Sequence, residues 1–339
     1  MTTRATRLIL LVVAALLVGC ATGSPRPSGG AVAAQLVAGV SGDGAFPHLQ
    51  ALQGIADSNG GNRASPGPGY EASVDYVASV LHDAGYEVTT TTYPVIPGER
   101  RDDTRQLMLR QVIAQTRTGD PEDVVMAGAH LDSVPDGPGI NDNGTGVAAL
   151  LEIATRLGGS PPVDHAIRFA FWGSEEDDLN GSTYYVETLP GPDRDALMLY
   201  LNLDMVGSPN AGYFVQGGQG HKPSQTGPPG SAEVARVLAD QLATTGVTAT
   251  HTTFDRASDY TAFVAAGIPS GGVLTGDTED KSAREAQSWG GHAGEAYDRC
   301  YHSACDRIDN VDRTALDRNI RAVAATLAHF ATSTNPRLM

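Results

Sequence analysis

Residues His165–Asp178 read HAIRFAFWGSEEDD. From Ala166 to Trp172 the stretch is apolar at consecutive positions, with Arg168 the one break. A strand without polar alternation is buried on both faces, as strands are in a parallel sheet covered by helices. Four acids follow in succession, Glu175 to Asp178. A solvated loop explains such a run. So does a site that needs two carboxylates. Adjacent residues leaving a strand point to opposite sides, so Glu175 and Glu176 can face two tasks.

Two further stretches share the pattern, EDVVMAGAH (122–130) and ALMLYLNLD (196–204). Helical spacing separates them. NDNGTGVAALLEIATRL (141–157) is a loop entering a helix, with Val147, Leu150, Leu151 and Ala154 as its buried face. GSTYYVETL (181–189) is a second helix. Upstream, Leu49–Ile55 and Tyr70–Ala84 are helical, and Gly85 stops the second. YEVTTTTYPV (86–95) and QLMLRQVIAQTR (106–117) read as strands around a charged loop at 97–104. Downstream come a helix at 231–244, a strand at 247–254, a short helix at 259–267, a strand at 269–276 and a closing helix at 314–332. Such alternation predicts one α/β domain with a mainly parallel central sheet flanked by helices.

The N-terminus reads MTTRATRLILLVVAALLVGCATGS. Two arginines, an apolar core and Leu17-Val18-Gly19-Cys20 have the layout of an export signal. The core is short for a membrane-spanning helix of about 20 residues. LVGC resembles a bacterial lipobox, which implies a signal peptide over 1–19 and a lipid on Cys20. The chain is then expected outside the cell, anchored to the outer face of the bacterial membrane. A flexible tether is expected over 20–35, the domain over 36–332 and a disordered tail over 333–339. In an exported chain, Cys300 and Cys305 are expected to pair. The net charge of −16, with 23 basic against 39 acidic residues and no basic stripe, excludes nucleic acid as a partner.

In a parallel sheet, ligands bind at the carboxyl ends of the strands. EDVVMAGAH ends in His130, with Asp132 two residues on, and an extended backbone points both the same way. RFAFWGS leads into Glu175 and Glu176, and LYLNLD ends in Asp204. The loop GINDNGTG carries Asp142, where Gly144 and Gly146 are expected to make a sharp turn. RCYHSACD, near the C-terminus, carries His302. One such residue alone is more often structural. Several on one rim are different, because carboxylates this close repel one another unless a cation sits between them. Two His with three carboxylates suit zinc. One ion needs three or four ligands. Two ions sharing a carboxylate use all five and leave room for water, as in two-metal hydrolases with ions about 3.5–4 Å apart.

The pieces HLDSV, GINDNGTGVAALLEIA, FAFWGSEEDDLNGSTYY, LNLDMVGS, SDYTAFVAAGIPSGGVLTG, QSWGG and RCYHSACD lie within a span from about His48 to Asn319. Together they resemble the secreted bacterial dizinc aminopeptidases of the Streptomyces griseus type. The resemblance implies the zinc-dependent exopeptidase (phosphorylase/hydrolase-like) fold and two zinc ions per chain. It gives His130 and Asp204 to one ion, Glu176 and His302 to the other, and Asp142 to both. It makes Glu175 the general base that activates a water held between the ions. Tyr301 would help stabilise the oxyanion, and Asp132 would hydrogen-bond the far nitrogen of His130. The family also has a cis peptide after the bridging Asp, here Asp142–Asn143. The implied substrates are peptides with a free N-terminus, cut after a large apolar first residue, and the domain is expected to act as a monomer. The Cys300–Cys305 bridge would orient His302 and Tyr301.

Departures from the family pattern matter. Asp178 stands before Leu179 where Gly is common, in what reads as surface loop. In FDRASDY, Ala257 replaces an Arg that contacts substrate in the relatives, and Arg256 is the nearest substitute. Other members of the fold cut acidic dipeptides, act as carboxypeptidases or are glutaminyl cyclases, and some bind without catalysis. An acid-specific pocket would need Lys or Arg in the motif loops, which show few. A dead fold loses ligands or base, and here all are present. Ser174 lacks the strand–turn–helix elbow of a nucleophile. The histidines outside the motifs read as packing or surface residues.

Overall fold

Each apolar run becomes a strand. In the computed structural model, which describes residues 29–95, 107–217 and 226–334, eight strands form one sheet. They are β1 (Glu87–Val95), β2 (Leu107–Gln115), β3 (Asp120–His130), β4 (His165–Trp172), β5 (Leu197–Leu203), β6 (Phe214–Gln216), β7 (Thr250–Thr252) and β8 (Ser270–Leu274). Their order across the sheet is β1-β2-β4-β3-β5-β8-β6-β7. The centre, β4-β3-β5-β8, is parallel throughout. β1 and β2 add antiparallel at one edge, and β6 runs antiparallel to β8 at the other. The mainly parallel sheet expected from the apolar runs is therefore present.

Both faces are covered, which explains why the central strands lack polar alternation. Val125, Ala127 and Ala129 of β3 pack into one layer. That layer holds α1 (Gly29–Gly39), α2 (Gly42–Ser58), α3 (Pro68–Asp83) and α4 (Gly146–Leu157). Val124 and Met126, the alternate residues of β3, face a second cluster with Trp172, Tyr200 and Phe263. α5 (Asn180–Thr188) covers that side, with the short α6 (Gly191–Asp195) beside β5. α7 (Ser231–Thr244) returns to the first layer, and α8 (Tyr260–Ala265) joins the second. α9 (Ala283–Trp289) lies on the surface, and α10 (Arg313–Ala331) closes the first layer. In α4 every residue from Gly146 to Ala154 is buried. Among the described residues no helix is long and apolar enough to cross a membrane.

The structure departs from expectation in places. Residues 29–35 of the expected tether belong to α1, because Val32 and Leu36, one turn apart, are buried against the core beside α10. The strand expected over 247–254 shortens to β7. β6, three residues long, carries too little pattern to be foreseen. α9 was legible in principle, since Ser282 and Glu285 form a capping box. Cys20, the 97–104 loop, His221 and the chain from 335 lie outside the described residues.

β3 runs between β4 and β5, so the chain leaves its carboxyl end first to one side and then to the other. Such a switch point opens a crevice at the strand ends. The acids and histidines collect there.

Candidate active site

β3 delivers His130, buried, at its last position. The turns after β4 and β5 deliver Glu175, Glu176 and Asp204, and the irregular turn Ile140–Thr145 delivers Asp142. The loop closed by the Cys300–Cys305 disulfide delivers His302. All line one cavity of about 110 Å³, together with Met205, Gln216, Leu274 and Tyr301. His130 Nε2 lies 3.2 Å from Asp142 Oδ1 and 3.4 Å from Asp204 Oδ1. His302 Nε2 lies 3.1 Å from Asp142 Oδ2 and 3.0 Å from Glu176 Oε2. Asp142 thus touches both histidines, one with each oxygen.

These spacings test the fit to zinc. Tetrahedral zinc with nitrogen and oxygen ligands at about 2.0–2.2 Å sets neighbouring donor atoms about 3.3–3.6 Å apart. Three groups could hold an ion, His130-Asp142-Asp204, Asp142-Glu176-His302 and His130-Glu175-Glu176, and the first two, which share Asp142, have nitrogen–oxygen spacings close to that edge length. Glu176 Oε1 and Asp204 Oδ1 are buried without a hydrogen bond among the described residues, a costly state unless a cation completes them. The residues present fit zinc.

The electrostatics agree. Burial works against a charge on His302, yet Asp142 and Glu176 override it and push the ring up to about 10. Burial likewise opposes charge on His130, and Glu175 and Asp204 raise it well above the usual range. Burial pushes Glu176 up to about 7 and holds Glu175 well above the carboxylate range, against the pull of His130. Burial also resists charge on Asp142, and its contacts with the two histidines lower it all the same. Without a cation the cluster can hold its charges only by borrowing protons.

The candidate ligands are held from behind. Asp306, buried, accepts the backbone N–H groups of Asn141 at 2.7 Å and Asp142 at 3.0 Å. Asp298 accepts from Asn141 Nδ2 at 2.7 Å and from Asn310 Nδ2 at 2.9 Å. Asn143 donates to Leu203 O at 2.8 Å and accepts from Gly146 N and Met205 N, joining the Asp142 turn to the end of β5. The Asp142–Asn143 peptide is cis, as the resemblance implied. The sharp turn expected at Gly144 and Gly146 is made earlier, at Gly139, whose φ is +62°. A Cβ there would stand 2.4 Å from Asp142 O, so the position needs glycine on two counts. Ser174, Met205 and His302 also take left-handed φ values, uncommon outside glycine, where the chain turns into or carries the site.

Some expected contacts differ in detail. Nδ1 of His130 donates to the backbone O of Asp132 at 3.2 Å, while the Asp132 carboxylate stands 3.8 Å away. That carboxylate instead accepts from Glu175 N at 3.2 Å and Glu176 N at 3.3 Å, so Asp132 holds the two glutamates in place. Tyr301 stacks on His302 with ring centroids 3.8 Å apart. Arg256 is not among the residues lining the acidic cavity. Its neighbours Asp255 and Ala257 are, while Arg256 lines an adjoining, larger cavity with Phe254 and Val264. Asp177 and Asp178 are exposed, the solvated part of the acidic run. Ser174 is buried and bonded to Ser65 and Tyr93. Sequence reasoning missed Asp298, Asp306 and Arg63. It also missed Asp259, a buried acid whose carboxyl burial pushes up to about 7. Asp306 had a signal, since it closes the RCYHSACD motif.

The model of peptidase family M28 matches residues 111–327. The probable lipoprotein aminopeptidase LpqL of Mycobacterium tuberculosis is 47% identical over 260 residues, which cover 75% of this chain and 52% of LpqL. Leupeptin-inactivating enzyme 1 of Streptomyces exfoliatus is 44% identical over 280 residues, 82% of this chain and 59% of that protein. The chain thus spans between half and three fifths of the length of these curated relatives. A zinc aminopeptidase from Bacillus subtilis superposes with a TM-score of 0.67 over 88% of this chain and 98% of its own, at 17% identity, a likeness of fold.

Proposed function

The chain belongs to peptidase family M28, and on that premise we propose that it is an exported lipoprotein aminopeptidase that uses two zinc ions. The observation that carries this reading is Asp142 standing within 3.2 Å of both His130 and His302, so that two ligand groups meet at one carboxylate. His130 and Asp204 would hold one ion, Glu176 and His302 the other, and Asp142 both. Bound there, zinc supplies Lewis acidity towards a carbonyl oxygen and lowers the pKa of water.

The remaining steps fall to the chain itself. Glu175 belongs to neither ligand group that shares Asp142, and it lines the same cavity. It takes the proton of the attacking water and passes it to the leaving amine. Asp132 keeps Glu175 and Glu176 in register through their backbone N–H groups. Tyr301, on the cavity wall beside His302, donates to the oxygen that gains charge. Among the described residues the cavity lining contains neither Lys nor Arg, which suits a substrate carrying an α-ammonium group. Met205 and Leu274 give that wall apolar surface for a large apolar first side chain. A lipid at Cys20 would hold the domain on the outer face of the membrane, a reading that the lipoprotein name of the Mycobacterium relative supports.

Purified protein loaded with zinc is expected to release p-nitroaniline from leucyl p-nitroanilide, and none from its N-acetylated form. Release from neither, with zinc bound, would sink the aminopeptidase reading.

A further inference from the structure

The loop that joins His130 to Asp142 packs on an arginine with no exposure to solvent, Arg63, which lies between α2 and α3. Its guanidinium donates from Nε to Pro138 O at 3.0 Å, from Nη2 to Gly139 O at 2.6 Å and from Nη1 to Leu131 O. Its backbone closes on the same loop, since Arg63 N donates to Ser133 Oγ at 2.9 Å. Its neighbour Asn62 donates to Pro135 O at 3.0 Å. One side chain therefore ties the residue just after His130 to the turn that leads into Asp142. A planar fork with fixed donor directions can hold three carbonyls at once in this way, and a lysine ammonium on a flexible stem cannot match it. Gly139 is the hinge of the arrangement. Its carbonyl accepts both from Arg63 and from Gly144 N at 3.0 Å, on the far side of Asp142.

The charge matters too. Burial lowers the Arg63 guanidinium to about 10, against the opposing pull of Asp132, Asp306, Asp142 and Glu176, so it stays charged at neutral pH. Its three side-chain bonds go to neutral carbonyls, which leaves its charge to act on the acidic cluster as a whole.

We propose that Arg63 is a positioning residue for the metal centre: it presets the span from His130 to Asp142 and places a fixed positive charge behind the carboxylates, so that the ligand groups are assembled before metal arrives. The proposal rests on the reading of Asp142 as the ligand shared by two zinc ions.

The test compares Arg63→Lys with wild type and with Arg168→Met. The latter removes a half-buried arginine that bonds Gln115 and Tyr185 elsewhere on the sheet. Zinc affinity is measured by chelator competition, and kinetics are followed in parallel. Arg63→Lys is expected to lose about 10–100-fold in zinc affinity, with kcat falling and KM staying within about twofold. Arg168→Met should keep zinc affinity even where its Tm falls as far. Wild-type zinc affinity in Arg63→Lys would overturn the proposal and leave Arg63 a core brace. If Arg63→Lys does not fold, metal-free wild type decides. The amides of Asn141, Asp142 and Gly144 and the Arg63 Nε–H should exchange slowly before zinc is added, and free exchange there would overturn the proposal. Weakened zinc binding in Arg63→Lys, from a protein that cleaves no aminoacyl anilide, would keep this proposal and sink the aminopeptidase reading instead.

Discussion

The two walls of the cleft are fastened in different ways. On the candidate ligand wall, Asp306 accepts the N–H groups of Asn141 and Asp142, Asp298 holds the Asn141 side chain, Asn143 ties the turn to Leu203 and Arg63 holds Gly139. These supports are buried, and Arg63, Asp298 and Asp306 come from segments far from Asp142 in the chain. The wall at Asp255–Ala257 is exposed and hangs on two side chains, Tyr260 and Asp255, the latter accepting from Ala257 N at 3.1 Å and from the Tyr260 hydroxyl. Tyr260 OH accepts the N–H groups of Asp255, Arg256 and Ala257 at 3.1, 3.1 and 3.2 Å. Arg256 sits there with φ +75° and lines the adjoining cavity. The lesson is a division of labour. The wall that carries the candidate metal ligands is braced by several buried side chains at once. The wall at 255–257 shares none of those supports, so it can change without disturbing the candidate ligands.

That contrast can be broken in order of expected effect. Glu175→Ala should lower kcat by about 10²–10⁴-fold while both zinc ions stay bound, since general-base catalysis is of that size. Zinc content by mass spectrometry beside steady-state kinetics checks both halves, and a variant that keeps wild-type kcat would remove Glu175 from its role. Substitutions on the other wall should be milder. Tyr260→Phe deletes the one hydroxyl that holds the 255–257 backbone. It should raise KM by roughly 3–10-fold, the worth of about one ordinary hydrogen bond, with zinc content unchanged. Arg256→Ala should shift kcat/KM by less than about twofold. A large loss in Arg256→Ala would mean that the loop brings that guanidinium into the cleft when substrate binds.

What the sequence reveals of the site follows the same division. The candidate ligands were legible because each ends or follows an apolar strand or sits in a short polar motif. That is how a parallel sheet delivers side chains to one rim. His130, Asp142, Glu176, Asp204 and His302 do meet there. Their supports were less legible. Arg63 acts on a backbone carbonyl 68 residues away and leaves no local spacing to read, and Asp306, although it closes a quoted motif, acts on a backbone N–H 164 residues away that no spacing links to it. Asp132 was legible as a member of the site. Its partners were not, since whether its carboxylate meets a ring or two backbone N–H groups depends on how the turn after β4 folds back over it. α1 was hidden by its glycine-rich start, although Val32 and Leu36 carry the spacing of a buried face.

We propose that the shared carboxylate of Asp142 assembles two metal ions for hydrolysis. The most direct measurement strips the protein of metal and adds zinc back in known equivalents, following leucyl p-nitroanilide cleavage and bound zinc together. Cleavage should be absent without metal and reach its plateau as the second ion per chain binds, and Asp142→Asn should hold neither ion tightly. Cleavage by the metal-free protein, or a chain saturated by a single zinc ion, would contradict it.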